Sequence, residues 1–105
     1  MARLGRKLRS LEGGRVAFQC PGCERMHLVR VDGAGRPRWT WNGDADAPTF
    51  SPSVRVNALG PYHTDAAPTC HSFVSGGSIQ FLGDCTHALV GQTVDLPDLP
   101  GEGAT

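Results

Sequence analysis

Four cysteines constrain the fold of this chain more than any other feature of its sequence. Two of them, Cys20 and Cys23, are the first and last residues of a Cys-Pro-Gly-Cys motif, and the others are Cys70 and Cys85. Thiols two residues apart on a tight turn can take two corners of a tetrahedral site, and the glycine lets backbone amides approach the sulfurs. One such pair is half of a metal site, so the sequence predicts a second pair of ligands elsewhere in the chain.

A second hairpin indicates where that other pair lies. If Gly76 and Gly77 are the two turn residues between Ser75 and Ser78, Cys70 faces Gly83 across the strands. Cys85 then follows two positions later on the same face as Cys70, while His71 points to the opposite face. The predicted zinc ligands are therefore Cys20, Cys23, Cys70 and Cys85.

The histidines are the alternative ligands. His87 competes for the fourth corner because Cys85-Thr86-His87 can present sulfur and nitrogen together, and His71 is a further reserve. The other interpretation of these two is a hydrogen-bonded residue beside the site or at the surface. His27 is either a ligand or a strand residue next to the Cys-Pro-Gly-Cys turn, and His63 is expected to be solvated.

A closed site of this kind would stabilise the fold. Four protein ligands leave no open position, so the zinc ion would cross-link two hairpins and contribute on the order of 10 kcal/mol to folding. The chain has 105 residues, of which 39% are hydrophobic, with 14 glycines and 8 prolines. Such a loop-rich single domain is short of hydrophobic area, and a metal ion is a natural supplement.

The predicted fold class is α+β, mostly β, as a small zinc-ribbon-like domain of short antiparallel hairpins with little helix. Residues 1–14 are predicted to form a basic N-terminal arm, 15–98 the zinc-stabilised domain, and 99–105 a flexible tail. Leu4, Leu8 and Leu11 have helix-compatible spacing within the arm. The predicted core comprises Val16, Phe18, Leu28, Val31, Trp39, Trp41, Phe50, Val54, Phe73, Phe81 and Leu89.

Charge is divided unevenly although the formal net charge is zero. Residues 1–55 carry all ten Lys and Arg against five acids, and residues 56–105 carry five acids and no Lys or Arg. A basic arm can bind nucleic acid, and the oppositely charged ends of two copies can associate with each other. If the two halves interleave in the fold, the charge asymmetry disappears. The residues considered for nucleic-acid binding are Arg3, Arg6, Lys7, Arg9 and Arg15.

Several longer motifs resemble one group of small proteins. They are Trp-x-Trp-Asn-Gly, Pro-Thr-Phe-Ser-Pro-Ser-Val, Cys-His-Ser-Phe-Val, and the stretch from Ile79 to Pro97. Together with Cys-Pro-Gly-Cys they are similar to uncharacterised phage and prophage proteins that often carry the automatic label "ammonia monooxygenase". The resemblance covers about Phe18 to Pro97 and implies a phage origin and cytoplasmic expression in a bacterial host. A membrane copper oxygenase needs spans and imidazole-rich ligation, which this sequence lacks.

Three functions follow as hypotheses. The first is a non-enzymatic zinc-binding accessory protein, an interaction module for host or phage protein or nucleic acid, located in the cytoplasm and possibly in the virion. The second is a zinc metalloenzyme of the hydrolase or deaminase kind with His71, Asp84 or His87 as base. The third is a virion or assembly component. No residue is assigned as catalytic, because the sequence shows no H-x-E with P-C-x-x-C, H-E-x-x-H or Ser-His-Asp signature.

Overall fold

The computed structural model describes residues 2–99, and side chains from residue 4 onward. Within this range the chain forms nine strands and no helix, and so none that could cross a bilayer. The prediction of short antiparallel hairpins with little helix is confirmed. The strands are β1 (Ala2–Leu4), β2 (Leu8–Leu11), β3 (Arg15–Cys20), β4 (Arg25–Arg30), β5 (Thr40–Trp41), β6 (Phe50–Val56), β7 (Cys70–Ser75), β8 (Ser78–Phe81) and β9 (Thr93–Asp95).

The strands form two antiparallel sheets whose inner faces share one core. The first sheet has the order β1-β2-β3-β4 and the second has the order β5-β6-β7-β8-β9. Phe18 of the first sheet stacks on Phe50 of the second, with ring centroids 6.0 Å apart and an interplanar angle of 24°. Both side chains are buried. Packing of side chains from the two inner faces therefore holds the sheets together.

The N-terminal segment is part of the first sheet and not a separate arm. β1 and β2 pair with one another and β2 pairs with β3, so the leucine spacing does not produce a helix. Leu8 is fully buried. Lys7 Nζ donates to the Leu96 carbonyl at 2.5 Å and lies 2.9 Å from an Asp98 oxygen. Burial of one leucine and pairing with the C-terminal segment outweigh the weak helix propensity of this stretch.

The C-terminal boundary also differs from the prediction. Leu99, placed in the flexible tail, is buried, and its N–H donates to the Arg6 carbonyl at 2.6 Å. Residues 100–105, the rest of the predicted tail, lie outside the described residues. The Lys7–Asp98 ion pair and this hydrogen bond show that the two halves of opposite charge interleave at the chain ends.

Most of the predicted core lies inside, with two exceptions. Val16, Phe18, Phe50, Val54 and Phe81 are buried, and Val31, Trp39, Trp41 and Leu89 pack partly buried against them. Leu28 and Phe73 are 44% and 46% exposed. They alternate with the buried residues of β4 and β7 and so point to the outer faces of the two sheets.

Two local features of the second sheet position the residues discussed below. Gly76 and Gly77 have positive φ values of 57° and 84°, and Ser75 pairs with Ser78, which confirms the predicted two-residue turn. The register between β6 and β7 shifts between Phe50 and Val54. Pro52 lies in this irregular stretch, as expected of a residue that cannot donate to a ladder.

Candidate functional site

Three cysteines and one histidine come together between the two sheets. Cys20 ends β3, Cys23 follows in the turn, Cys70 begins β7, and His87 lies in the loop after β8. Their potential ligand atoms all lie within 4.8 Å of one another, close enough to hold a metal ion. The Sγ atoms of Cys20 and Cys70 are 3.9 Å apart. Two thiolates on one tetrahedral zinc ion would be about 3.8 Å apart, given a Zn–S bond of about 2.3 Å.

The surroundings of His87 fit a metal ligand. Its Nε2 atom is buried and has no hydrogen-bond partner in the described part of the chain. An unsatisfied buried nitrogen is costly, and a bound cation would satisfy it. A Cβ atom at Gly22 would overlap the His87 ring, so the glycine of the Cys-Pro-Gly-Cys turn makes room for the imidazole. The ring also packs edge-on against Phe81, with centroids 4.4 Å apart.

The three thiols interact strongly with one another. The hydrogen bond with Cys70 lowers the pKa of the Cys20 thiol to about 3, and the same contact raises the pKa of Cys70. Burial raises the pKa of Cys23 to about 11. Buried like charges repel, so three neighbouring thiolates are unfavourable without a cation. A divalent ion would let all three ionise, which is how thiolate ligands couple metal binding to proton release.

Cys85, predicted as the fourth ligand, is not a member of this cluster. Its thiol donates to the His71 carbonyl at 3.2 Å and accepts from the His71 N–H at 3.3 Å. β8 ends at Phe81, and Cys85 N–H donates to the Leu82 carbonyl across a turn. The alternation of the strand therefore cannot be extended to residue 85, and the reserve residue His87 occupies the fourth place.

A second constellation lies on the outer face of the second sheet. The Ser53 Oγ atom is 2.8 Å from Nε2 of His71. Nδ1 of the same ring lies 3.1 Å from one carboxylate oxygen of Asp84 and 3.2 Å from the other. Because a carboxylate only accepts, Nδ1 donates to Asp84, and in the neutral ring Nε2 is then an acceptor to which the Ser53 hydroxyl donates. This is the hydrogen-bond order of a serine, histidine and aspartate catalytic triad.

Local structure explains how three distant residues meet. Ser53 follows Pro52 in the stretch of β6 where the register with β7 shifts, and such irregularities change the direction of a side chain. His71 lies on β7 and faces outward, as the hairpin register predicted, together with Phe73, which pairs with Gln80. Asp84 lies in the turn that follows β8. Its side chain is 52% exposed, whereas that of His71 is 16% exposed.

The sequence analysis found two members of this constellation and missed the third. His71 and Asp84 were considered as bases of a metalloenzyme, and Ser53 was not considered. A triad has no fixed order or spacing along a chain and is recognised by geometry. The sequence offers one signal of this constellation, the register of the β7–β8 hairpin, which predicts that His71 faces away from the sulfurs.

A cavity of about 690 Å³ adjoins the triad. It lies between the loop of residues 57–69 and the end of the second sheet, and Asp84 belongs to both the cavity wall and the triad. The side chain of Arg55 also lines it, and Arg55 is the cross-strand partner of His71. Clefts of this size are typical of ligand and substrate sites.

The remaining predicted residues have other roles in the structure. His27 is buried beside Phe18, with ring centroids 5.6 Å apart, and its Nε2 atom, like that of His87, has no hydrogen-bond partner among the described residues. It is not one of the four residues whose ligand atoms cluster. His63, expected to be solvated, lies 3.0 Å from both the Asn57 carbonyl and an Asp65 oxygen.

Several of the residues considered for nucleic-acid binding have partners within the described part of the chain. Lys7 pairs with Asp98, Arg6 lies 3.7 Å from an Asp46 oxygen, and Arg15 donates to the Glu12 carbonyl. Arg9 has a contact as well, and the Arg3 side chain lies outside the described part. Binding of nucleic acid stays a prediction.

Comparison with models of protein families gives a match. The model of a family described as "BubE: Bacterial ubiquitination-like system serine protease (BubE)" matches residues 4–82. This range includes Ser53 and His71 and ends two residues before Asp84. No curated protein and no solved structure matches the chain at a significant level.

Proposed function

The chain belongs to the BubE family, and from this membership and the outer-face geometry we propose that it is a serine protease of a bacterial ubiquitination-like system. Ser53 is the nucleophile, His71 the general base and Asp84 the residue that orients the imidazole. One observation carries the proposal: the continuous chain of hydrogen bonds from Ser53 Oγ through His71 to the Asp84 carboxylate, at 2.8 and 3.1 Å. The substrate bond is a peptide or isopeptide bond.

The geometry supports acyl transfer in two steps. Ser53 Oγ attacks the carbonyl carbon of the substrate while its proton passes to Nε2 of His71. The imidazolium, stabilised by Asp84, gives that proton to the leaving nitrogen, the C–N bond breaks, and an ester remains on Ser53. Water then adds to the ester carbonyl and loses a proton to Nε2. The ester C–O bond breaks as the proton returns to Ser53 Oγ, which releases a carboxylic acid.

Zinc is the ion that the cluster fits best, and its proposed role is structural. A set of three thiolates and one imidazole is typical of structural zinc, and four protein ligands leave no position for substrate or water. The ion would link the turn after β3 to the first residue of β7. Cys70 directly precedes His71, so the cluster would anchor the strand that carries the catalytic base. A zinc metalloenzyme would need an open ligand position, which this set does not offer.

A fluorophosphonate probe tests the nucleophile. Attack by an activated serine oxygen on phosphorus expels fluoride and leaves a stable phosphonate ester. We expect the wild-type protein to be labelled at Ser53 and Ser53→Ala to show no labelling, while Ser75→Ala, which removes an exposed hydroxyl from the β7–β8 hairpin, reacts at the wild-type rate. Peptide mapping by mass spectrometry locates the adduct. A wild-type protein with folded circular dichroism and no adduct would remove the proposal.

The origin of the protein is a separate question. The phage or prophage source and the cytoplasmic location implied by the sequence motifs stay predictions. A protease of a bacterial ubiquitination-like system is compatible with either a host or a phage genome. A non-enzymatic accessory role would leave the hydrogen-bonded chain at Ser53 without a use.

A further inference from the structure

The cavity beside the triad has an apolar wall on the loop of residues 57–69. The same loop also supplies His63, Asp65 and Thr69, and the end of β6 and the turn after β8 supply Arg55, Asp84 and Thr86. The apolar wall consists of Ala58, Leu59, Ala66, Ala67 and Pro68. Three of these five residues are alanines, whose side chains are small, and the cavity volume of about 690 Å³ can hold a large side chain.

Asn57 holds the apolar wall in place. Its Nδ2 atom donates to the carbonyls of Thr64 and Ala67, at 2.7 and 2.8 Å, and its Oδ1 accepts the Thr64 N–H at 2.9 Å. The Asn57 carbonyl accepts from Thr69 Oγ1 at 2.8 Å. Asn57 has a φ of 54°, a left-handed conformation that asparagine tolerates better than most residues. The loop is thus held by a hydrogen-bonded hub and forms a preorganised surface.

Arg55 is the charged group that the cavity leaves available. His63 and Asp65 pair with each other at 3.0 Å, and Asp84 pairs with His71. Within residues 4–99, Arg55 has no ion pair, and it is exposed. A guanidinium presents a rigid set of donors that matches a carboxylate. A cavity lined by both apolar residues and such a group suits a ligand with both characters.

We propose that this cavity is a substrate subsite that binds a peptide segment carrying a bulky apolar side chain next to an acidic one. The apolar side chain contacts the wall of Ala67 and its neighbours, and the carboxylate pairs with Arg55. Because Ser53 is not part of the cavity wall, the recognised residues are separated from the scissile bond. The inference rests on the proposed protease function and adds the chemical class of the substrate segment.

The test combines two variants of the cavity with two controls. Ala67→Trp fills the apolar side and Arg55→Gln removes the charge. Ala34→Trp and Arg38→Gln make the same changes at exposed positions outside the cavity. Each protein is first treated with a small alkyl fluorophosphonate, and labelling within twofold of the wild-type rate shows that fold and triad are intact. Each is then incubated with a proteome-derived peptide library, and the cleaved sequences are read by mass spectrometry.

We expect the wild type to enrich a bulky apolar residue and an acidic residue at constant distances from the cleaved bond. Ala67→Trp should abolish the apolar preference and lower kcat/KM for an enriched peptide by about tenfold or more. Arg55→Gln should abolish only the acidic preference, with a loss of about fivefold that disappears at high salt. The controls should resemble the wild type.

Two results would overturn the subsite. One is a labelled wild type that cleaves no peptide or shows no positional preference, and the other is a preference that both cavity variants retain. In these cases the labelling leaves the protease proposal standing. Absence of labelling in the wild type would instead refute the protease proposal, and the subsite with it.

Discussion

Asp84→Asn isolates the contribution of the carboxylate to the triad. The substitution keeps the shape of the side chain and replaces an acceptor by an amide that can donate towards Nδ1 of His71. A ring that accepts at Nδ1 carries its proton on Nε2 and cannot take the proton of Ser53. The charge that stabilises the imidazolium is lost as well.

The size of the effect follows from the distance and the exposure of the pair. Two unit charges about 4 Å apart interact by roughly 1 kcal/mol in water and roughly 4 kcal/mol at an effective dielectric constant of 20. The Asp84 side chain is 52% exposed, and its oxygen lies 3.1 Å from Nδ1, so solvent screens the pair in part. We expect a loss of about 2 to 3 kcal/mol of transition-state stabilisation, or about 30- to 150-fold in rate.

The rate of acylation is the appropriate measurement, because it does not depend on the natural substrate. Stopped-flow release of p-nitrophenol from p-nitrophenyl acetate reports the first turnover. Asp95→Asn is the matched control, since it removes an exposed carboxylate on β9 that accepts a hydrogen bond from the Ser78 hydroxyl. An Asp84→Asn rate within threefold of the wild type would show that Asp84 does not act on His71 as argued.

Three further predictions concern the metal cluster and the core. His87→Ala should lower zinc affinity by at least tenfold in a chelator competition, whereas Cys85→Ala should keep one zinc ion per chain by mass spectrometry of the native protein. Gly22→Ala should also weaken zinc binding, because the added methyl group displaces the His87 ring. Phe18→Ala should cost about 3 to 5 kcal/mol of unfolding free energy in urea, and Leu28→Ala less than about 1 kcal/mol, because only the former is buried.

Each of these has an outcome that contradicts it. Gly83→Ala is the control for Gly22→Ala, since its added methyl group has no described atom within 4 Å apart from those of its chain neighbours. An equal loss of affinity there would exclude a specific contact with His87. Loss of the zinc ion from Cys85→Ala would return Cys85 to the ligand set. Equal destabilisation at Phe18 and Leu28 would contradict the assignment of inner and outer faces.

Local chemistry determined the parts of this protein that the sequence predicts well. The Gly76-Gly77 turn requires positive φ values, and it sets the pairing of β7 with β8 and hence the outward direction of His71. Likewise, the two-residue spacing of Cys20 and Cys23 permits two sulfurs on one turn, which the structure realises together with Cys70.

Tertiary structure alone decided which side chains complete each site. β8 stops before Cys85, so a turn and not strand alternation brings His87 to the sulfurs, and an irregularity in β6 brings Ser53 to His71 across 18 residues of sequence. Periodicity predicts the face of a residue only while the strand continues. Irregularities, strand ends and long loops change the direction in which a side chain points. The packing of two sheets around a shared core determines where in the chain these features occur.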